Sequence, residues 1–166
     1  MNRVLLPIKP KKLSKQLLQI SLALLKQLGQ VELVLASIIR VPKALPLSYG
    51  TLKVASARQW LNKLSQNLAK EANCKTVVKV GHSFAAEIVR VLESYSCNFL
   101  ILNEDWLTFY ERQQLEQETN CHLIYLKNAS LTSEAKTVIL ISNSATYSLT
   151  QQLAVCLKDW FNANLE

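Results

Sequence analysis

TVVKVGHSFAAEIVRVLESYSCNFLIL, residues 76–102, reads as a strand, a turn, a helix and a second strand in direct succession. Thr76 to Val80 is a mostly β-branched run halted at Gly81, and a short apolar run closed by a turn residue predicts a strand. Ser83 stands where a helix N-cap would accept a backbone N–H, and Phe84, Ile88, Val91, Leu92 and Tyr95 follow at helical spacing. Phe99 to Leu102 is apolar without alternation, the pattern of a strand buried on both faces. Two strands joined through a helix predict a parallel crossover and hence an α/β fold.

The same alternation extends in both directions. Upstream, Val4 to Ile8 predicts a first strand, Leu13, Leu17, Ile20, Leu24 and Leu28 a helix ended at Gly29, and Val31 to Ile39 a second strand. Pro42 to Gly50 predicts a loop, and Val54, Ala57, Leu61, Leu64 and Leu68 form the stripe of a helix that ends near Asn73. Downstream, an acidic and aromatic connection from Glu104 to Tyr110 leads into a polar helical segment to about Glu118 and a fifth strand, His122 to Lys127. Thr137 to Ile141 predicts a sixth strand, and Tyr147, Leu153, Leu157 and Trp160 a last helix. The expected architecture is a doubly wound, mainly parallel sheet of five to six strands with helices on both faces and right-handed crossovers. The domain expectation is one α/β unit over 1–129, with 130–166 either completing the sheet or opening a second repeat.

A chain of 166 residues with 49% hydrophobic residues is the size of one ordinary domain. No run approaches the roughly 18 apolar residues of a spanning helix, and the segment after Met1 is too short for a secretory signal, so a cytoplasmic protein is expected. Cys74, Cys97, Cys121 and Cys156 lack paired metal-ligand spacing and are expected to stay reduced. The net charge of +7 is unevenly spread: residues 1–80 carry 14 Lys and Arg against Glu32 and Glu71, or +12, and the remainder 5 against 10, or −5. Such a dipole favours an anionic partner for the first half, although solvated helix faces explain the same counts.

Val4-Leu5-Leu6-Pro7-Ile8, Val78-Lys79-Val80-Gly81, and Ala86-Glu87-Ile88-Val89 running into Asn98-Phe99-Leu100-Ile101-Leu102 together resemble the universal stress protein family over about residues 3–127. The resemblance implies strand order 3-2-1-4-5. It also implies an ATP site with an Asp after strand one and glycines after strand four, because only glycine lets backbone N–H groups close around a polyphosphate. Here Lys9 stands at the Asp position, Asn103 and Trp106 stand at the first two glycine positions, and no glycine follows Gly81. These departures, with Glu104 and Asp105 set to repel phosphates, predict no cofactor and in particular no ATP.

Lys9, Lys11, Lys12 and Asn103 remain as a candidate anion site where strand order reverses, with Glu104 and Asp105 as the favoured internal partners of the lysines. No catalytic or metal-binding set is expected. His82 and His122 are isolated, Ser83 reads as a cap, Cys121 reads as a small buried hydrophobe, and Trp106, Phe109 and Tyr110 read as core or interface residues. The functional expectation is a non-enzymatic regulatory module in stress response or attached to a membrane transporter. It is expected to dimerise through the His122 to Lys127 edge, and an anionic membrane surface is a second partner for the basic half, with nucleic acid excluded. The alternative is a sensor that takes a small anion or nucleotide through the lysine-rich mouth.

Overall fold

The computed structural model describes residues 2–9, 18, 21–22, 25–26, 29, 31–127 and 137–142. Six strands form one sheet: β1 (Asn2–Pro7), β2 (Val31–Arg40), β3 (Asn73–Gly81), β4 (Phe99–Asn103), β5 (His122–Lys127) and β6 (Thr137–Ser142), in the order β3-β2-β1-β4-β5-β6. The first five run parallel in the 3-2-1-4-5 order that the resemblance implies. Among the described residues, the fully bounded α-helices between them are α1 (Ser48–Leu68), α2 (Phe84–Tyr95) and α3 (Phe109–Glu118), with a 3-10 turn at Glu104–Trp106.

Alternate residues of the central strands feed two cores, as a sheet covered on both faces requires. Val4, Leu6 and Ile8 pack with Leu61 and Leu68 of α1 and with Leu25. Leu5 and Leu100 pack on the opposite face against Ile88 and Leu92 of α2 and Leu115 of α3. Burying a side chain of this size contributes roughly 1.5–3 kcal/mol, so the two layers carry the stability of the fold.

Local chemistry explains the element ends. Ser83 is in extended conformation and accepts from the Ala86 N–H at 3.3 Å, starting α2 as the sequence predicts. Thr108 and Glu111 form a reciprocal capping box that starts α3, a helix whose composition offers almost no apolar stripe. Gly81 closes β3 for a steric reason: a Cβ there would meet Glu87 Cγ at 2.4 Å. α1 begins at Ser48, six residues earlier than the apolar stripe suggests. The turn that ends at Pro46 and Leu47 already directs its carbonyls to Tyr49 and Gly50.

β6 lies antiparallel along β5, pairing His122 with Ser142 and Lys127 with Thr137. Only nine residues separate Lys127 from Thr137, too few for the crossover that a parallel neighbour needs. The β5 edge offered by the sequence for dimerisation is thus occupied by the chain's own sixth strand. The helix expected over 147–160 lies outside the described residues.

At the amino end of the sheet, the buried Glu32 carboxylate is held by Arg3 Nε at 2.8 Å and Lys75 Nζ at 3.0 Å, tying β1, β2 and β3 together. Burial raises this carboxyl's pKa, but the hydrogen bonds and charges of Lys75 and Arg3 outweigh it and hold the group below the usual carboxylate range. The unfolded chain therefore binds the proton first as pH falls, and the stabilisation is present near neutrality and lost through the folded-state pKa. Glu32→Gln is expected to lower stability by about 1–2 kcal/mol at neutral pH. In urea titrations its deficit against wild type should shrink as the pH drops towards that value. α2 ends at Ser96, a non-glycine residue at φ 49°. Ser96→Gly should raise the melting midpoint through a gain of about 0.5–1 kcal/mol.

Candidate functional site

β1 meets β4 only at Val4–Phe99 and Leu5–Leu100, whereas it pairs with β2 along its whole length. The strand order reverses at this junction, and ligands of doubly wound sheets bind outside the carboxyl ends there. Lys9 follows β1 into this crevice, and its ammonium lies 5.3 Å from the Phe84 ring centroid and 5.2 Å from that of Trp106. Both are cation–π distances. Trp106 is itself half-buried and packs against both cores.

Asn103 ends β4 with its side chain buried, and its Oδ1 accepts from the Asp105 N–H at 2.9 Å, capping the 3-10 turn. That turn sends Glu104 back towards α3, where its carboxylate pairs with Arg112. Arg112 also donates to Glu116 at 2.8 Å and lies 4.8 Å from the Tyr125 ring centroid. The hydrogen bond that Arg112 donates to Glu116 is the first cause of its raised pKa, so this guanidinium stays charged. Burial pushes the Tyr125 phenol far above its ordinary range, and its hydroxyl has no hydrogen-bond partner among the described residues.

Of the pairing expected between the lysine mouth and the Glu104–Asp105 loop, the described residues show only where Glu104 goes. The 3-10 turn points Glu104 to Arg112, Asp105 is exposed, and the ammonium of Lys9 faces two aromatic rings. Lys11 and Lys12 lie outside the described residues. Phe109 and Tyr110 are not core residues, being 75% and 79% exposed. The histidines and the buried cysteines have the following surroundings. His82 Nδ1 contacts the Val41 carbonyl at 3.0 Å, and buried His122 stacks on Phe99 with its pKa lowered by burial. Burial pushes the Cys97 and Cys121 thiols up to about 12 and about 11.

Beside the crevice, between the carboxyl end of β2 and α1, a groove of about 610 Å³ opens. Lys9, Ser37, Arg40, Lys53, Ser56 and Trp60 line it, and its charged lining residues among those described are all cations. Arg40 is also 3.5 Å from Glu111, a charge contact too long for a hydrogen bond. The sequence reading missed Arg40, Lys53 and Trp60. Their signal was the absence of any Asp or Glu from residue 33 to residue 70, but only strand order and helix placement bring the three to one groove.

No protein-family model matches the chain, and no curated protein matches it. Solved structures do. A universal stress protein family protein from Arabidopsis thaliana with AMP bound is 12% identical at a TM-score of 0.58, the match covering 78% of this chain and 94% of that one. The chain has the universal stress protein fold. The universal stress protein from Archaeoglobus fulgidus in complex with dAMP is 12% identical at 0.55, covering 75% and 97%. A protein of the same family from Burkholderia pseudomallei is 11% identical at 0.54, covering 75% and 94%. The two nucleotide complexes overturn the expectation of no cofactor. Adenine nucleotides are bound by these two proteins of the same fold.

Among the described residues, no helix is long and apolar enough to cross a membrane. Removing Arg112 would leave the carboxylates of Glu104 and Glu116 facing each other without their shared cation. Arg112→Met is expected to lower stability by about 1–2 kcal/mol, discounted for partial exposure. Arg112→Lys should recover less than half of it, because an ammonium cannot present the same planar fork; chemical denaturation of the two variants checks both.

Proposed function

We propose that the protein is a ligand-sensing regulatory domain of universal-stress-protein fold, whose mouth groove binds an adenine nucleotide or a closely related nucleoside phosphate. The groove carries the reading: its volume of about 610 Å³ combines an aromatic wall, Trp60, with three cations, Lys9, Arg40 and Lys53. Pockets of roughly 300–1,000 Å³ with a few convergent polar groups are typical of small-molecule sites. The residues present fit such a ligand. Trp60 offers a face for a base, Ser37 and Ser56 offer hydroxyls, and the cations would hold phosphate oxygens through charge-assisted hydrogen bonds. The AMP and dAMP complexes of the two related structures support the same ligand class.

The role is binding rather than catalysis. Lys9, Arg40 and Lys53 supply positive charge, and the described lining offers no carboxylate, imidazole or thiol to act with them as an acid and base pair. Occupancy would instead be read through the loop and helix that frame the groove, by a partner chain or an attached domain.

Isothermal titration with AMP, ATP and cyclic AMP should detect saturable binding to the wild-type chain. Lys53→Ala and Trp60→Ala should each weaken it by about tenfold, the loss of one charge-assisted bond or one stacked ring. Binding unchanged in both variants places the ligand elsewhere, and no heat with any of the three nucleotides overturns the reading.

A further inference from the structure

The segment from β2 into α1 combines two features that seldom share one surface of a monomer. Leu45, Leu47, Tyr49 and Leu52 are 37%, 44%, 59% and 85% exposed. They sit in a stretch, residues 33–70, that contains six Lys and Arg and no acidic residue. Lys43 and Lys53 flank the apolar group, and both are exposed. Exposed apolar clusters usually mark an interaction site.

The apolar side chains are held outward by ordered backbone. Leu45 N–H donates to the Pro42 carbonyl at 2.9 Å, Tyr49 to Pro46 at 3.1 Å and Gly50 to Leu47 at 2.9 Å. Gly50 then anchors the segment, because it presses so close to the sheet that a Cβ would meet Val80 Cγ1 at 2.3 Å. Down α1, Lys63 lies eleven residues beyond Leu52, about three turns, and so shares its outward side. An apolar tip is thus flanked by Lys43 and Lys53 and followed by Lys63.

We propose that this tip is a peripheral docking surface for an anionic lipid bilayer. Leucines and a tyrosine enter the boundary between headgroups and acyl chains, and Lys43, Lys53 and Lys63 meet the negative headgroups. Complementarity selects this partner. A nucleic acid would match the cations but not four exposed apolar side chains, and an apolar protein groove would match the leucines but not an unbroken positive field. Leu52 and Lys53 also line the mouth groove, so the membrane and the small ligand meet the protein side by side.

Co-sedimentation of the full chain with vesicles tests the surface. Vesicles of phosphatidylcholine containing phosphatidylserine should carry the protein down, phosphatidylcholine alone should not, and binding should fall as salt rises. Lys43→Ala should weaken the partition about fivefold, the loss of one headgroup contact. Leu47→Asp should abolish it. Neither residue lines the groove, so nucleotide titration should be unchanged in both variants, and this also reports that they fold. Failure of nucleotide binding in wild type would overturn the proposed ligand without touching the membrane surface. Three results overturn the present inference: no sedimentation with anionic vesicles, binding of single-stranded RNA in their place, or a dimer in light scattering that Leu47→Asp dissociates.

Discussion

The burial of β1 on both faces is the constraint from which the other features follow. Val4, Leu5 and Leu6 are wholly inaccessible to solvent, flanked by β2 on one side and β4 on the other. A strand so placed needs helices above and below, which the parallel crossovers supply. It also makes β1 the line at which strand order reverses, so its carboxyl end faces a crevice in place of a continuous neighbour. Lys9 is simply the residue that leaves this strand, and its position is inherited from the packing of the residues before it.

Charge is distributed along the strands in a way that separates stability from recognition. At the amino end, Glu32 is buried between Arg3 and Lys75, and Arg3 also donates to the Tyr95 carbonyl at 2.7 Å. These contacts close four elements around one carboxylate. At the carboxyl end, acids are withdrawn: Glu104 is turned to Arg112, Glu87 is paired with Arg90 at 2.5 Å and Glu111 is engaged in the capping box of α3. The cations that remain around the groove act together, as a basic field beside an aromatic wall.

The same asymmetry explains why the groove lies where it does. Lys9, Phe84 and Trp106 gather above the β1–β4 junction, so open volume is displaced towards β2 and α1. Strand β6 covers the far edge at β5 and removes it as a pairing surface. Among the described residues, the exposed Leu45, Leu47, Tyr49 and Leu52 stand in the loop and first turn of α1, beside the groove.

Much was legible in the residues alone. The β-branched and apolar runs, the glycine stops and the Ser83 cap determined the strands, the helix between them and the parallel order, because each depends on periodicity and on local hydrogen bonding that neighbours in sequence supply. The lysine after β1 and the asparagine after β4 were equally visible as residues at strand ends. What they do was not. Asn103 caps a turn two residues on, whereas Lys9 faces two rings, and Arg40, Lys53 and Trp60 line one groove, through contacts between residues distant in the chain. Side-chain partners at the mouth are set by which strands lie next to each other and by how closely the helices press on them, and only the packed sheet decides that.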